Sequence, residues 1–310
     1  MKRINKKIIV VEQESGEILE EFTDGSIIMS ESELQQKREY FKSKSLKDSQ
    51  LKYQKKRVDT LGNFIWCAYP ISSNIFDLSL KPSNLTRLIY LATYLDYDNC
   101  LIEDVMPFKE KQPLTKKRIS QILNLSSTEF SCFFDEVVNK RKIISCEQGK
   151  YYMNTKLFGK GELPKSKINA FAKRNVYITT MYRNSIREMY IGSKPRLHKQ
   201  LSYIFKILPY VNRQYNIIAY NPLEDDLDKV SPMTLTDFCK TIGYSITNTT
   251  HLFSLLSDVL VDGNKESAIL YSPVIKGGNK TKCIIVNPKI YYAGNKLLEV
   301  EALCDFTKNN

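Results

Sequence analysis

Apolar residues follow two rhythms along this chain, one of helical and one of strand period, and their order occurs twice. Leu85, Leu88, Ile89, Ala92 and Leu95 recur at helical spacing behind Ser83 and Asn84, either of which suits an N-cap. Leu101-Ile102 then reads as a short strand, and 103–112, with Pro107 and mixed charge, as a loop. Thr115 predicts the cap of a second helix over 116–123, a turn at Asn124-Leu125-Ser126, and a third helix over about 127–140. Ile143-Ile144-Ser145-Cys146 and Tyr151-Tyr152-Met153 flank Gln148-Gly149, a hairpin signal. Three helices closed by a hairpin describe a winged helix. Its predicted core is Leu88, Ile89, Ile119, Leu123, Phe130, Phe134, Val137 and Tyr152.

The same order returns downstream. A helix near His198 carries Leu201, Ile204, Phe205 and Leu208, Ile217-Ile218 supplies the strand, and 224–228 forms an acidic loop. Helices are predicted over 234–241 and 247–261, and strands over 268–274 and 283–286. Between these strands lies a basic wing, Lys276-Gly277-Gly278-Asn279-Lys280.

The two stretches also align residue by residue. Pro113 lies over Pro232, Thr115 over Thr234, Ile119 over Phe238, Leu123 over Ile242, and Thr128 over Thr247. Tyr152-Met153-Asn154-Thr155-Lys156-Leu157-Phe158 answers Ile285-Val286-Asn287-Pro288-Lys289-Ile290-Tyr291. The period is far longer than that of a solenoid, so these are tandem domains of one fold. The expected architecture is α+β and mainly helical. It consists of an N-terminal hairpin (1–29), a basic arm (30–60), one winged helix (61–163), an amphipathic connector (164–196), a second winged helix (197–298) and a tail (299–310).

The flanking segments have their own signatures. Ile8–Val11 and Glu17–Phe22 surround Ser15-Gly16 as a β-hairpin would. Between residues 30 and 57 lysines and arginines dominate with sparse apolar spacing, which fits a marginal helix or a solvated basic arm. An apolar stretch from Leu61 to Phe76, holding the only tryptophan, Trp66, reads as a strand entering the first core. The connector, with Val176, Ile178, Met181, Ile186, Met189 and Tyr190, is too apolar for a free tether and is expected to pack on one domain or both.

Composition narrows the chemistry. A length of 310 residues suits about two cores. No apolar run reaches the ~20 residues of a membrane span, and Ile8–Val11 is too short for a signal-peptide core, so a cytoplasmic setting is expected. Seven cysteines at 67, 100, 132, 146, 239, 283 and 304 stand singly, which fits reduced thiols. Only His198 and His251 are present, and neither has a cysteine pair at zinc spacing, so neither metal nor cofactor is expected. Neither Gly277-Gly278 nor Gly159-Lys160-Gly161 completes a phosphate-binding loop. Nineteen tyrosines leave room for a nicking nucleophile, but the companion His-x-His is absent, and packing accounts for Tyr151-Tyr152 and Tyr291-Tyr292. A non-enzymatic role is therefore expected.

The net charge of +12 favours an acidic partner, nucleic acid first. In a helix-turn-helix the start of the last helix meets base edges, while lysines and backbone amides hold phosphates. In the first copy that face should present Ser127, Thr128, Ser131, Cys132 and Asp135, and in the second Thr247, Asn248, Thr250, His251 and Ser254. Neither offers an arginine for guanine, while Glu129, Asp135 and Glu136 would repel phosphate. Asn248 suits adenine, which makes the second copy the better reader. Phosphate contacts are expected from Thr115, Lys116, Lys117 and Arg118, from Lys140, Arg141 and Lys142, from Thr234, and from wing residues Lys276, Lys280 and Lys282.

The run Leu-Thr-Lys-Lys-Arg-Ile-Ser-Gln-Ile-Leu-Asn-Leu-Ser over 114–126, with Tyr-Tyr-Met-Asn-Thr-Lys-Leu-Phe-Gly-Lys-Gly over 151–161, resembles RepL-like winged-helix proteins of plasmids and phages of Gram-positive bacteria. Ile-Ile-Val-Asn-Pro-Lys-Ile-Tyr-Tyr-Ala-Gly over 284–294 and Val-Val-Glu-Gln-Glu-Ser-Gly-Glu-Ile-Leu-Glu over 10–20 extend the likeness. It covers roughly 6–22, 61–163 and 197–295. The resemblance implies a double-stranded DNA-binding protein acting in replication initiation or transcription regulation, nucleoid-associated, working as monomer or homodimer and meeting host replication or transcription proteins. Ser127, Thr128, Ser131 and Cys132 fall where that family often has Arg and Ser facing DNA. The alternative from another class is an adaptor whose winged helices bind a host protein, with an incidental basic surface.

Overall fold

The computed structural model describes residues 8–11, 18–22, 61–70, 75–103, 112–161, 163–263, 265–276, 278–294 and 305–307, with a few isolated positions besides. Residues 1–57 and 58–310 are separate compact units. In the first, β1 (Ile8–Val11) pairs antiparallel with β2 (Ile18–Phe22), as the segments flanking Ser15-Gly16 predict. The turn at Ser15-Gly16 and most of the basic arm lie outside the described residues.

The second unit is a mixed α+β body with small antiparallel sheets. Its strand β3 (Phe64–Pro70) leads to helix α1 (Pro82–Ala92), then α2 (Lys116–Leu123) and α3 (Ser127–Phe134). A π-helical stretch, Asp135–Lys140, continues α3, so the predicted helix over about 127–140 is there but changes its winding. The hairpin β4 (Ile144–Glu147) and β5 (Lys150–Met153) follows, then β6 (Phe158–Lys160). Of the predicted core, Leu88, Ile89, Ile119, Leu123, Phe130 and Val137 are buried. Phe133 fills the place expected of Phe134, because Phe130, Phe133 and Val137 form the inward stripe. Phe134 lies half-buried at the edge against Phe130 and Tyr151, and Tyr152 is also half-buried.

The connector is structural. It holds α4 (Lys165–Lys173), β7 (Val176–Tyr182) and α5 (Arg183–Gly192). After it come α6 (His198–Lys206), α7 (Leu235–Ile242), α8 (Thr249–Ser257), the short pair β8 (Leu260–Val261) and β9 (Glu266–Ser267), the long hairpin β10 (Ile269–Lys276) and β11 (Asn279–Val286), and β12 (Tyr291–Tyr292). The four-stranded sheet runs β12-β7-β3-β6 and so draws on both copies.

That sheet carries an approximate two-fold relation. Trp66 lies opposite Thr180, with Ile65 facing Met181 and Cys67 facing Thr179 one step to either side. On the outer edges Cys67 carries Phe158 and Met181 carries Tyr291, which are matched residues of the repeat. Across the same seam α1 packs on α6. Thr86 Oγ1 donates to the His198 carbonyl at 2.8 Å, and Tyr90 stacks on Tyr190 at 3.9 Å. Hydrophobic burial on this one face merges the helices of both copies into a single core. The opposite face buries Trp66 and Ala68 against Phe171 of α4. Gly159 is required there, since a Cβ at that position would overlap the Trp66 ring at 2.2 Å.

The backbone joints repeat too. Asn99 (φ 62°) donates its amide to the carbonyls of Met153 and Phe158, and Asn216 (φ 53°) donates to those of Val286 and Tyr291. Asparagine tolerates the left-handed conformation, and its side chain ties the wing strand to the segment after it.

Candidate nucleic-acid interface

Both helix-turn-helix units are built by local signals. Thr115 Oγ1 accepts from the Arg118 N–H at 3.2 Å and caps α2; Thr234 accepts from the Asp237 N–H at 3.1 Å in a complete capping box for α7. Each second helix ends on a left-handed residue, Asn124 in one copy and Gly243 in the other, which turns the chain into the next helix. Thr115 and Thr234 therefore act through the fold, with their hydroxyls engaged in caps.

In the first copy Ser127, Thr128, Ser131 and Cys132 are all exposed on α3. The neighbouring acids are largely committed to the scaffold. Glu129 meets the buried Arg87 of α1 at 3.0 Å, and this hydrogen bond holds its carboxyl below the usual range. Glu136 accepts from the Lys81 N–H and from the Asn84 amide, so it caps the start of α1. Ser83 and Asn84, expected as caps, do not serve; a carboxylate from across the core does. Asp135, partly exposed, pairs with Lys140 at 2.7 Å. The acids expected to face phosphate instead bind within the first copy.

Its cations are partly engaged as well. Lys116 and Lys117 are exposed, with Lys116 Nζ 4.7 Å over the Phe134 ring. Arg118 is bound to Glu103 at 2.6 Å and to Gln121, which leaves less of its charge for a phosphate. The hairpin tip pairs Glu147 with Lys150 and is locally neutral.

The second copy presents a different surface. Thr247, Asn248, Thr250 and His251 are exposed along the start of α8, with Ser254 one turn on. Helix α8 begins at Thr249, later than expected, because Ile246–Asn248 forms a 3₁₀ turn that places Asn248 at the cap position. Thr247 shares a hydrogen bond with Ser245 at 2.8 Å. The wing strands are longer than the sequence predicts: β10 and β11 pair without a break from Ile269–Val286 to Lys276–Asn279. Lys280 and Lys282 are exposed, and Lys282 Nζ lies 5.6 Å over the Tyr271 ring; the Lys276 side chain lies outside the described residues.

Residues that sequence patterning missed stand on the same wing face. Tyr271, edge-on to Phe253 of α8, and Ile275 are exposed beside these lysines. Alternation existed as a signal, but Ile269–Lys276 has apolar residues on both faces, which hides the solvent side. Of the tyrosine pairs, Tyr291 and Tyr292 are buried and donate to the carbonyls of Ile204 and Gln214. Burial pushes the Tyr291 phenol far up. Among the described residues no group of three or more His, Cys, Asp or Glu is placed to hold a metal, and no helix is long and apolar enough to cross a membrane. No family model, curated protein or solved structure matches this chain.

Proposed function

We propose that this protein is a non-enzymatic double-stranded DNA-binding protein built from two winged-helix units, as its resemblance to RepL-like proteins implies, with a role in replication initiation or transcription regulation. The observation that carries this reading is the second copy's surface. A hydroxyl and amide row on α8 adjoins a projecting hairpin with exposed lysines, on a chain of net charge +12. Asn248, Thr250 and His251 are the base readers, and Lys276, Lys280 and Lys282 hold phosphates. The first copy, through Ser127, Thr128, Ser131 and Cys132 with Lys116 and Lys117, adds weaker contacts. The approximate two-fold relation presents the two units in inverted orientation, which suits an inverted pair of half-sites within one chain.

The test is titration of the full chain against random duplex at two salt concentrations with heparin as competitor. Micromolar or tighter binding with a steep salt slope supports the reading, because released counterions set that slope. No binding at low salt overturns it.

One observation favours the adaptor reading, where the connector meets the first copy. Ile191, 71% exposed, stands beside a cleft of about 130 Å³ lined by Ile122, Leu123, Asn124 and Tyr190. An apolar residue so placed fits a protein contact. Ile191→Asp would then abolish capture of a host protein while leaving duplex binding intact.

A further inference from the structure

The second hairpin joins two properties on opposite faces. One face is anchored: Val274, Cys283 and Ile285 are buried with Tyr215, Ile217, Ala219, Val230 and Phe306 in a small core of their own. That packing stiffens the strands up to Val274 and holds the tip away from the body. The other face runs from α8 through Tyr271 and Pro273 to Ile275, with Lys282 opposite Pro273 and Lys280 opposite Ile275. Ile275 is 68% exposed although its neighbour Val274 is buried. The pairing of Ile275 with Lys280 fixes it on the face opposite Val274.

We propose that this tip is a wedge. Ile275, with Lys280 and Lys282 on neighbouring phosphates, enters the minor groove of bound duplex and partly unstacks one base step, so the DNA bends where the hairpin enters. Apolar wedges inserted between base steps trade stacking energy for a bent duplex that meets more protein surface. Charge supports a polyanion as the occupant, since Lys280 and Lys282 share the face of Ile275. Pro273 argues against capture of a protein strand along β10, because it has no N–H to offer the ladder. Continuity with α8 through the Phe253–Tyr271 contact joins the hairpin to the proposed reading helix. Flexible pyrimidine–purine steps are the preferred targets, since they unstack most easily. The inference rests on the DNA-binding reading above.

The experiment uses the full chain and a duplex carrying a fluorescent adenine analogue at TA steps, with donor and acceptor dyes at its ends. Wild type should raise the analogue's fluorescence and shorten the end-to-end distance. Ile275→Ala should lose most of both signals while its affinity changes by only about threefold, because lost burial and avoided unstacking offset each other. Its salt slope should not change, whereas Lys280→Ala should lower the slope by about 1 and keep the optical signals. Wild type that binds duplex without unstacking or bending overturns the wedge and leaves the DNA reading standing, as does full signal in Ile275→Ala. Wild type that ignores duplex overturns both. Retention on anionic vesicles that depends on Ile275, without optical change on DNA, also overturns the wedge and assigns the tip to a membrane surface.

Discussion

The two copies share their joints and differ in their outer faces. Asn99 and Asn216 make the same pair of bonds, Thr115 and Thr234 cap the same helix, and Asn124 and Gly243 turn the chain at the same point. Outside those joints the first copy turns its charge inward. Glu129 neutralises Arg87, Glu136 caps α1, Arg118 is held by Glu103, and the hairpin is short. The second copy keeps an open row on α8 and extends its hairpin into a basic and apolar arm. Bonds to the backbone constrain a position in any copy of the fold, whereas surface positions carry no such constraint, so the two copies match at their joints and differ on their outer faces.

The joints give the largest test of that equivalence. Asn99→Ala and Asn216→Ala each orphan two buried carbonyls and leave a left-handed backbone without its favoured residue. Each should cost roughly 3–4 kcal/mol in urea unfolding of the full chain. A large loss at only one would break the equivalence.

The seam comes next. His198 is buried and stacked on Tyr190, and burial, together with the Arg87 guanidinium, lowers its pKa from 6.5 to about 4, against an opposing pull from Glu129. The unfolded chain therefore takes up the proton first. Stability should be unaffected by this group above pH 6.5 and fall as pH drops from 6.5 to 4, by roughly 3 kcal/mol in all. His198→Phe keeps the stack and should flatten that part of the profile; an unchanged slope would exclude His198 as its source.

Surface contrasts should be smaller. Replacing Lys276, Lys280 and Lys282 with alanine should weaken duplex binding about thirtyfold and lower the salt slope by about 3. The matching replacement of Lys116, Lys117 and Arg118 should weaken it only about threefold, since Arg118 is already paired. Equal losses would mean both copies grip DNA alike. Smallest of all, once a preferred site is known, Asn248→Ala should relax the choice of one adenine by about 1 kcal/mol, while Ser131→Ala leaves the site preference as it was.

Local grammar made much of the second unit legible. The cap at Thr115, the helix over 116–123 and the Gln148-Gly149 turn all depend on residues within a few positions of each other. The seam was not legible, because it joins β3 to β7 and α1 to α6 across more than a hundred residues, and no local period marks which apolar strand pairs with which. The connector's apolar content announced packing, yet only the sheet revealed Val176–Tyr182 as the partner of β3.

The candidate site divides in the same way. Exposure of Ser127, Thr128, Ser131 and Cys132, and of Thr250 and His251, followed from helical phase, whereas Thr247 and Asn248 are exposed on the 3₁₀ turn before α8. The fate of charge did not: Glu129 and Glu136 look solvent-facing along their helix until α1 is set beside them with a buried arginine and an open N-terminus. Ile275 was hidden because both faces of its strand are apolar, and only the packing of Val274 against the small second core decides which side is left to solvent. By itself the sequence determined the helix over 116–123, its cap at Thr115 and the hairpin turn at Gln148-Gly149, since these are short-range matters of period and backbone bonding. Tertiary structure alone decided which charges are spent inside and which apolar side chain is held out, because both depend on neighbours brought from far along the chain.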